Sequence, residues 1–452
     1  MTSTNRRILG AAITIGALTI VTKLVALGKD AAVAYSFGTS DAMDAFLIGM
    51  LLPAFAINVV AGSLNAAFMS VLIECRERDG APAAARLFES ILFASLLLLA
   101  VASFALVAAA PLVMPHLGVR FTPEKVALTH HIFLRLLPIV LLSGMTTVYT
   151  GVLNAGERFA LGALAPAAVP LITLLAVAAF GRSAGIDALA WGTVIGYAVN
   201  AAIVAHAASI AGFGVLPRWH GWTPELRRVA SQYLPVAAGS SLMSSTGIVD
   251  QAMAFMLPAG SVAALGYGNK SVSMVTALGT AALGTAVLPH FSRMAARADW
   301  ATLRHSVRLW TRVVIGVSVP FTLCLIAGST AIVRAVFERG AFTPHDTVDV
   351  SLVQAMYLLQ LPFYALGILF VRTLTSLQQN HVLLWGNVIS FPLNLILNVV
   401  LMRSMGAAGI ALSTSLVYAA SCAYLGLMLH RSLNGRATEP ITLAPALAAE
   451  HR

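Results

Sequence analysis

Residues 17–53 read ALTIVTKLVALGKDAAVAYSFGTSDAMDAFLIGMLLP. The apolar part of this stretch is long enough to enter a membrane as a helix, which rises about 1.5 Å per residue through a hydrocarbon layer ~30 Å thick. Lys23 and Lys29 lie within it. A lysine that faces lipid at the bilayer centre costs ~2.5–3.5 kcal/mol, so both side chains are expected to face a wet cavity or a partner.

The whole chain shares this apolar character. Of its 452 residues, 58% are hydrophobic and 10% are charged, which excludes a soluble protein and indicates an integral membrane protein. The net charge of +10 comes from basic residues scattered between apolar runs, so no nucleic-acid partner is predicted. The three cysteines have no metal-ligand spacing, and no metal site is predicted. Hydrolase and ATPase motifs are absent, so no catalytic residue is predicted.

Apolar runs separated by charged residues, proline or glycine predict an all-α membrane protein with twelve transmembrane helices. The predicted spans lie near residues 8–30, 42–72, 86–112, 128–153, 160–181, 185–210, 229–256, 262–292, 310–334, 348–377, 382–402 and 407–430. Basic residues in the connecting segments and at the span ends bordering them divide seventeen to six between the two sides of the membrane. By the positive-inside rule, the sequence therefore predicts that both termini are cytoplasmic.

Two short repeats divide the predicted spans into halves. LNAAFMSVL at 64–72 has a counterpart in LGTAVLPHF at 283–291, and AGI at 184–186 recurs at 408–410. The offsets of 219 and 224 residues predict two six-helix lobes around a central cavity near the membrane midplane. The predicted domains are an N-terminal lobe at 1–212, a cytoplasmic linker at 213–228, a C-terminal lobe at 229–431 and a cytoplasmic tail at 432–452.

Apart from those at the span ends, five basic residues fall inside the predicted spans, namely Lys23, Lys29, Arg135, Lys270 and Arg372. The three lysines are predicted to line a cationic cavity, whose charge favours a phosphate or pyrophosphate group. Arg135 and Arg372 lie nearer the ends of their spans. Their side chains either join this substrate-binding cavity or reach the membrane interface.

Two acids are candidates for an ion-coupling site or a counter-ion, Asp30 and Asp250. Neighbouring residues on a helix point in different directions, so Asp30 is expected to be a poor partner for Lys29. Asp250 is the best-centred acid of the spans. It is either an ion-coupling site or the counter-ion of Lys270.

Four segments resemble the MurJ/MviN branch of the multidrug, oligosaccharidyl-lipid and polysaccharide exporter superfamily. They are TKLVALGKDAAVAYSFGTSDAMDAF at 22–46, GVLNAGERFALGALAP at 151–166, YGNKSVSMVTALGTAALGTAVLPHFSR at 267–293 and FERGAFTPHDT at 337–347. The three cavity lysines fall where this family carries arginines, which keeps the charge but loses bidentate phosphate geometry. The resemblance also marks residues of a gate or loop motif: Asp44, Gly340, Phe342, Thr343 and Asp346.

The resemblance implies a flippase and not an enzyme. Its substrate would be undecaprenyl-pyrophosphate-linked saccharide, lipid II in the best-known members, moved from the cytoplasmic to the periplasmic leaflet of the bacterial inner membrane by alternating access. No cofactor is implied, but a coupling cation, Na⁺ or H⁺, or the membrane potential would reset the protein. Cell-wall or polysaccharide synthesis proteins are the implied protein partners.

Two other readings of the function stay open at this point. The chain has two predicted spans fewer than the family usually has, which favours a flippase for exopolysaccharide or O-antigen precursors on the same fold. The other reading is a membrane glycosyltransferase that uses the same lipid carrier. It needs an acidic residue in an outer loop, for which Asp346 and Asp349 are the candidates.

Overall fold

The structure, a computed structural model, describes residues 3–117, 122–155, 159–296, 299–377 and 379–435. Within these ranges the chain is helical almost throughout and contains no strand. The helices are α1 (Ser3–Phe37), α2 (Asp41–Ala56), α3 (Ser63–Asp79), α4 (Ala81–Leu117), α5 (Pro123–Leu136), α6 (Pro138–Ala155), α7 (Phe159–Leu164), α8 (Ala168–Ala184), α9 (Ile186–Ile210), α10 (Pro224–Ala254), α11 (Ser261–Ala296), α12 (Trp300–Ala327), α13 (Ser329–Phe337), α14 (Pro344–Leu358), α15 (Leu361–Ser376), α16 (Asn380–Met405) and α17 (Ala407–Gly435).

Several predicted spans consist of two helices, and prolines mark the breaks. Proline lacks a backbone N–H, so one backbone hydrogen bond of a helix is missing where it occurs. Accordingly, α5 ends just before Pro138, and a 3₁₀ turn that contains Pro166 separates α7 from α8. A π-helical turn, Ile57–Gly62, follows Pro53 and separates α2 from α3. These breaks lie within the predicted spans and do not add new ones.

Nine helical segments of the described residues are long and apolar enough to cross a membrane. The predicted spans outside this set correspond to α1, α10 and α11, which have 35, 31 and 36 residues. These three helices carry Lys23, Lys29, Asp250 and Lys270. The all-α membrane fold is confirmed, whereas the count of twelve spans stays a prediction.

The described helices form two compact units. The first comprises Met1–Lys270, Ser329–Gln354 and Asn398–Ile410, and the second comprises Ser271–Gly328, Ala355–Leu397 and Ala411–Arg452. These bounds differ from those of the predicted lobes, since α10 packs along α3 and thereby belongs to the first unit. The lobe boundaries stay a prediction.

An aromatic core in the first unit also holds the predicted linker. Phe88, Tyr149 and Phe213 are buried together, and the Phe213 ring centroid is 5.4 Å from that of Phe88. The Tyr149 hydroxyl donates to the carbonyl of Val215 at 2.7 Å. Residues 213–223 are non-helical, and α10 begins within the predicted linker. At the other end of the chain, α17 runs to Gly435, and most of the predicted tail lies outside the described residues.

The second unit has an apolar core of its own. It includes Phe291, Leu303, Leu369 and Leu429, and α12 packs against α15. Burial of each large apolar side chain of this kind contributes ~1.5–3 kcal/mol where water is the alternative environment. Within a bilayer, close packing replaces much of that contribution.

Candidate functional site

A cavity of about 450 Å³ lies within the first unit. Residues of α1, α2, α8, α9 and α11 form its walls. At ~30 Å³ per water molecule, this volume holds roughly 15 waters, enough to hydrate charged groups inside a membrane protein. Lys23, Lys29, Asp30 and Lys270 all line it, so the fold brings the three predicted lysines to one cavity.

Asp30 lies between two of these lysines. The Nζ atom of Lys29 is 2.5 Å from Oδ1 of Asp30, and the Nζ atom of Lys270 is 3.1 Å from Oδ2. The expectation that Lys29 and Asp30 would pair poorly is therefore wrong, since the flexible stem of lysine brings its ammonium back to the neighbouring carboxylate. The counter-ion that the structure gives Lys270 is Asp30, although the sequence had offered Asp250 for that place.

Lys23 differs from the other two lysines. Its side chain is exposed, and no acidic group among the described residues forms an ion pair with it. The cavity wall thus carries three ammonium groups and one carboxylate. Because charges attract more strongly in a reduced dielectric than in bulk water, this excess of positive charge favours an anionic ligand.

The remaining cavity wall is neutral. Thr173 and Thr193 donate their hydroxyl groups to carbonyls of their own helices, each at 2.7 Å. Most of the other wall residues are apolar, for example Met43 and Phe46. Among the described wall residues, positive charge therefore comes from the lysines alone.

A buried carboxylate, Asp44, joins three helices beside the cavity. It is 2% exposed and accepts hydrogen bonds from the backbone N–H groups of Gly260 at 2.8 Å and Ala263 at 3.0 Å. These N–H groups lie at the start of α11, where the helix itself offers them no acceptor. The Nζ atom of Lys125, on α5, also lies 3.2 Å from Asp44 and 2.5 Å from Asp41.

The loop between α13 and α14 packs against the end of α1. The backbone N–H of Ala341 donates to the carbonyl of Tyr35 at 2.8 Å. Asp346 accepts from the Thr343 N–H at 2.7 Å and from the hydroxyl of Thr39 in the turn between α1 and α2. We call Thr39, Asp44, Gly260, Ala341 and Asp346 the turn cluster.

Aromatic rings attach the same loop to α11. Phe342 and Phe337 are buried, and their ring centroids lie 5.6 Å and 5.2 Å from that of Tyr267. Tyr267 is a residue of the cavity wall. The predicted loop motif thus lies next to the cationic cavity, through one shared aromatic side chain.

Gly340 is expected to tolerate no side chain. Its φ is +64°, and a Cβ atom there would lie 2.4 Å from the Tyr35 carbonyl oxygen. We expect Gly340→Ala to destabilise the protein by about 1–3 kcal/mol beyond the cost of the backbone conformation. The control is Gly185→Ala, where φ is +57° and no described atom lies within 4 Å of the added Cβ. Thermal unfolding in detergent compares the two, and equal melting temperatures would contradict the close contact.

The structure assigns Arg135 to a structural ion pair. Its guanidinium pairs with Asp187 of α9, and its Cζ atom lies 6.0 Å from the centroid of the Trp191 ring. It is not among the described residues of the cavity wall. Its ion pair connects α5 to α9, and its role in substrate binding stays a prediction.

Two further predicted site residues are not among the described residues of the cavity wall. Asp250, on α10, accepts a hydrogen bond from the side-chain amide of Asn398 at 2.7 Å. Arg372 is half-buried on α15, in the second unit. The predicted role of each in ion coupling or substrate binding stays a prediction.

Sequence reasoning missed two residues of this region. The sequence contained an indication of Lys125, because Asp41 and Asp44 are two acids in the first turn of α2 and predict a nearby cation. Tyr267 had no such signal. An aromatic residue in an apolar helix is ordinary, and only the packing of α11 brings it to the cavity.

Comparison with known proteins identifies the family. A family model described as lipid II flippase MurJ matches residues 33–448. A probable lipid II flippase MurJ of Rhizobium meliloti (strain 1021) is 28% identical over 414 residues, which cover 88% of this chain and 76% of that protein. A probable lipid II flippase MurJ of Synechocystis sp. (strain ATCC 27184 / PCC 6803 / Kazusa) is 26% identical over 433 residues, covering 92% and 80%.

Solved structures show the same fold. A lipid II flippase MurJ in an inward closed conformation has a TM-score of 0.79 at 19% identity, covering 94% of this chain and 90% of that one. A multidrug resistance MATE family transporter of the MOP superfamily, in an inward-facing conformation, has a TM-score of 0.72 at 13% identity, covering 96% and 100%. Because the family model covers most of its length, this chain belongs to the lipid II flippase MurJ family.

Proposed function

We propose that this protein is a flippase that moves lipid II, an undecaprenyl-pyrophosphate-linked saccharide, between the leaflets of the membrane. The observation that carries the proposal is the cavity in which Lys23, Lys29 and Lys270 outnumber Asp30. A pyrophosphate supplies the negative charge that these ammonium groups lack, and charge-assisted hydrogen bonds to phosphate are short and strong. Membership of the family supports lipid II as the substrate.

Translocation runs from the cytoplasmic to the periplasmic leaflet of the bacterial inner membrane. With both termini cytoplasmic, as the basic residues predict, the turn between α1 and α2 lies on the periplasmic side. Met43 and Phe46, which flank Asp44, line the cavity. In this orientation the turn cluster closes the cavity toward the periplasm, and alternating access requires that its contacts break and re-form.

A coupling cation, Na⁺ or H⁺, or the membrane potential resets the empty protein. Asp250 supports an ion site, because it is a carboxylate inside a long helix and is bonded to Asn398. Ionisable groups within membrane spans are expensive, and they usually mark ion or substrate pathways. Cell-wall or polysaccharide synthesis proteins remain the predicted protein partners.

The glycosyltransferase reading has less support. Asp346 accepts hydrogen bonds from Thr343 and Thr39, which is the arrangement of a helix cap and a loop contact. Asp349 is an exposed residue whose carboxylate lies 3.4 Å from the ring of His345. Asp346 therefore belongs to a structural contact, and Asp349 lies on the protein surface.

Reconstitution tests the proposal. We expect proteoliposomes that contain the purified protein to translocate fluorescent lipid II at least tenfold faster than protein-free liposomes. An undecaprenyl-linked glycan without the peptide is the comparison substrate, and faster movement of that glycan would favour the exopolysaccharide or O-antigen reading. Movement of neither substrate would contradict the flippase.

A further inference from the structure

The hydroxyl group of Tyr267 is buried and has no hydrogen-bond partner among the described residues. The residue is 2% exposed and lines the cationic cavity. Buried tyrosine hydroxyls usually find a partner, and one that does not needs an explanation. The simplest explanation is a second conformation of the protein, in which this hydroxyl has an acceptor.

The ring of Tyr267 cannot turn the hydroxyl toward water. It packs against Phe337 and Phe342, with both rings buried. One residue on, a Cβ atom at Gly268 would lie 2.7 Å from Val353, so α11 and α14 are in close contact there. The hydroxyl is therefore held in place, and an acceptor has to come to it.

Two carboxylates belong to the surroundings of this hydroxyl. Asp30 lines the same cavity as Tyr267, and Asp346 follows closely on Phe342, whose ring packs against that of Tyr267. Asp346 is already bonded by Thr39 and Thr343 within the turn cluster. Asp30 has one oxygen paired with Lys29 and the other with Lys270. When the lysines leave, both of these oxygens need other donors.

We propose that Tyr267 is a positioning residue that donates its hydroxyl to Asp30 when Lys29 and Lys270 turn to the pyrophosphate of the substrate. The inference rests on the proposed function. A buried carboxylate that loses its cations is strongly disfavoured unless another donor replaces them. Tyr267 is such a donor, and the exchange removes both its own unsatisfied group and that of Asp30.

This exchange also connects the cavity to the periplasmic closure. The ring of Tyr267 touches the loop that carries Phe342, and that loop is bonded to the end of α1 through Ala341 and Tyr35. Asp30 lies on the same helix, α1. Occupation of the cavity therefore changes the contacts of residues that hold the turn cluster in place.

The variant Tyr267→Phe tests the inference, because it removes the hydroxyl and keeps the ring. Binding of inorganic pyrophosphate to the purified full-length protein is measured by calorimetry, and thermal unfolding is measured without ligand. We expect about tenfold weaker binding, which equals ~1.4 kcal/mol, together with an unchanged or higher melting temperature. A merely structural hydroxyl would instead lower the melting temperature when it is removed.

A double-mutant cycle with Asp30→Asn shows whether the hydroxyl acts through Asp30. In that background we expect Tyr267→Phe to change pyrophosphate binding by less than twofold. The matched control is Tyr233→Phe, which removes a tyrosine hydroxyl of α10 that is not among the described residues of the cavity wall. We expect that control to bind pyrophosphate like the wild type.

Three results would overturn the inference: wild-type affinity in Tyr267→Phe, an equal loss of affinity in the Asp30→Asn background, or no pyrophosphate binding by the wild type. A different result would contradict the proposed function without contradicting this inference. If pyrophosphate binds with the expected coupling but lipid II is not translocated in proteoliposomes, the substrate assignment is wrong and the role of Tyr267 is supported.

Discussion

Replacing Lys270 by alanine is expected to reduce lipid II translocation at least 100-fold, which corresponds to ~2.7 kcal/mol. The substitution removes one of the three cations of the cavity, and a hydrogen bond to a charged group contributes ~1.5–3 kcal/mol. It also leaves one oxygen of the buried Asp30 without its ammonium partner. Alanine at Lys29 removes the other partner of Asp30, and alanine at Lys23 removes the lysine that pairs with no acid among the described residues. Both variants are expected to be inactive as well.

Complementation of a flippase-depleted bacterial strain measures these effects, with the amount of membrane protein checked for each variant. Arginine at the same three positions is expected to retain activity, because it keeps the charge and adds donors suited to phosphate. Arg182→Ala is the control, since Arg182 is an exposed residue at the end of α8. Normal growth of all three alanine variants would refute the cavity as the substrate site.

Asp44→Asn is expected to destabilise the closed turn cluster by ~3–5 kcal/mol, the range for removing one partner of a buried ion pair. The carboxylate is nearly inaccessible and satisfies two N–H groups of α11 as well as Lys125. Without its charge, the start of α11 loses a charged acceptor, and Lys125 retains the exposed Asp41 but loses the buried carboxylate. The protein is then expected to remain open toward the periplasm and to lose transport.

Labelling of a cysteine at position 263 measures this opening. Ala263→Cys is made with Cys75, Cys324 and Cys422 replaced by serine, and a membrane-impermeant maleimide is added to cells. Ala263 is fully buried in the closed arrangement, so Asp44→Asn is expected to raise the labelling rate at least tenfold.

Asp41→Asn is the matched control for this experiment. Asp41 lies one turn from Asp44 on α2 and pairs with the same Lys125, but its side chain is 64% exposed. Exposed ion pairs contribute only ~0–1 kcal/mol, so this variant is expected to label slowly. Equal labelling rates in the two variants would show that Asp44 does not close the periplasmic side.

Much of the architecture could be predicted from the sequence, because the signals that specify it are local. Apolar run length depends on neighbouring residues only, and it placed the membrane helices well. Motif residues such as Gly340 and Asp346 lie within one short segment, and the structure places that segment as one loop. Three intramembrane lysines pointed to a cavity, because a charge inside a bilayer has few alternatives.

The pairing of these groups could not be predicted in the same way. Lys270 and Asp30 are 240 positions apart in the chain, and only the packing of α11 near α1 brings them together. The ion pair of Arg135 with Asp187 could not be predicted either, because only the packing of α5 against α9 brings these residues together. The orphaned hydroxyl of Tyr267 has no counterpart in any sequence pattern.

The sequence by itself determined that this chain is an all-helical membrane protein with cations inside its predicted spans and a loop motif that resembles that of the family. Only the tertiary structure decided that Lys29 and Lys270 share Asp30, that Lys125 and α11 share Asp44, and that Tyr267 and Asp30 line one cavity. The physical reason is that the free energy of inserting a segment into a membrane is a sum of contributions from its single residues. An ion pair or hydrogen bond depends instead on side-chain positions within a few ångströms, which helix packing alone sets.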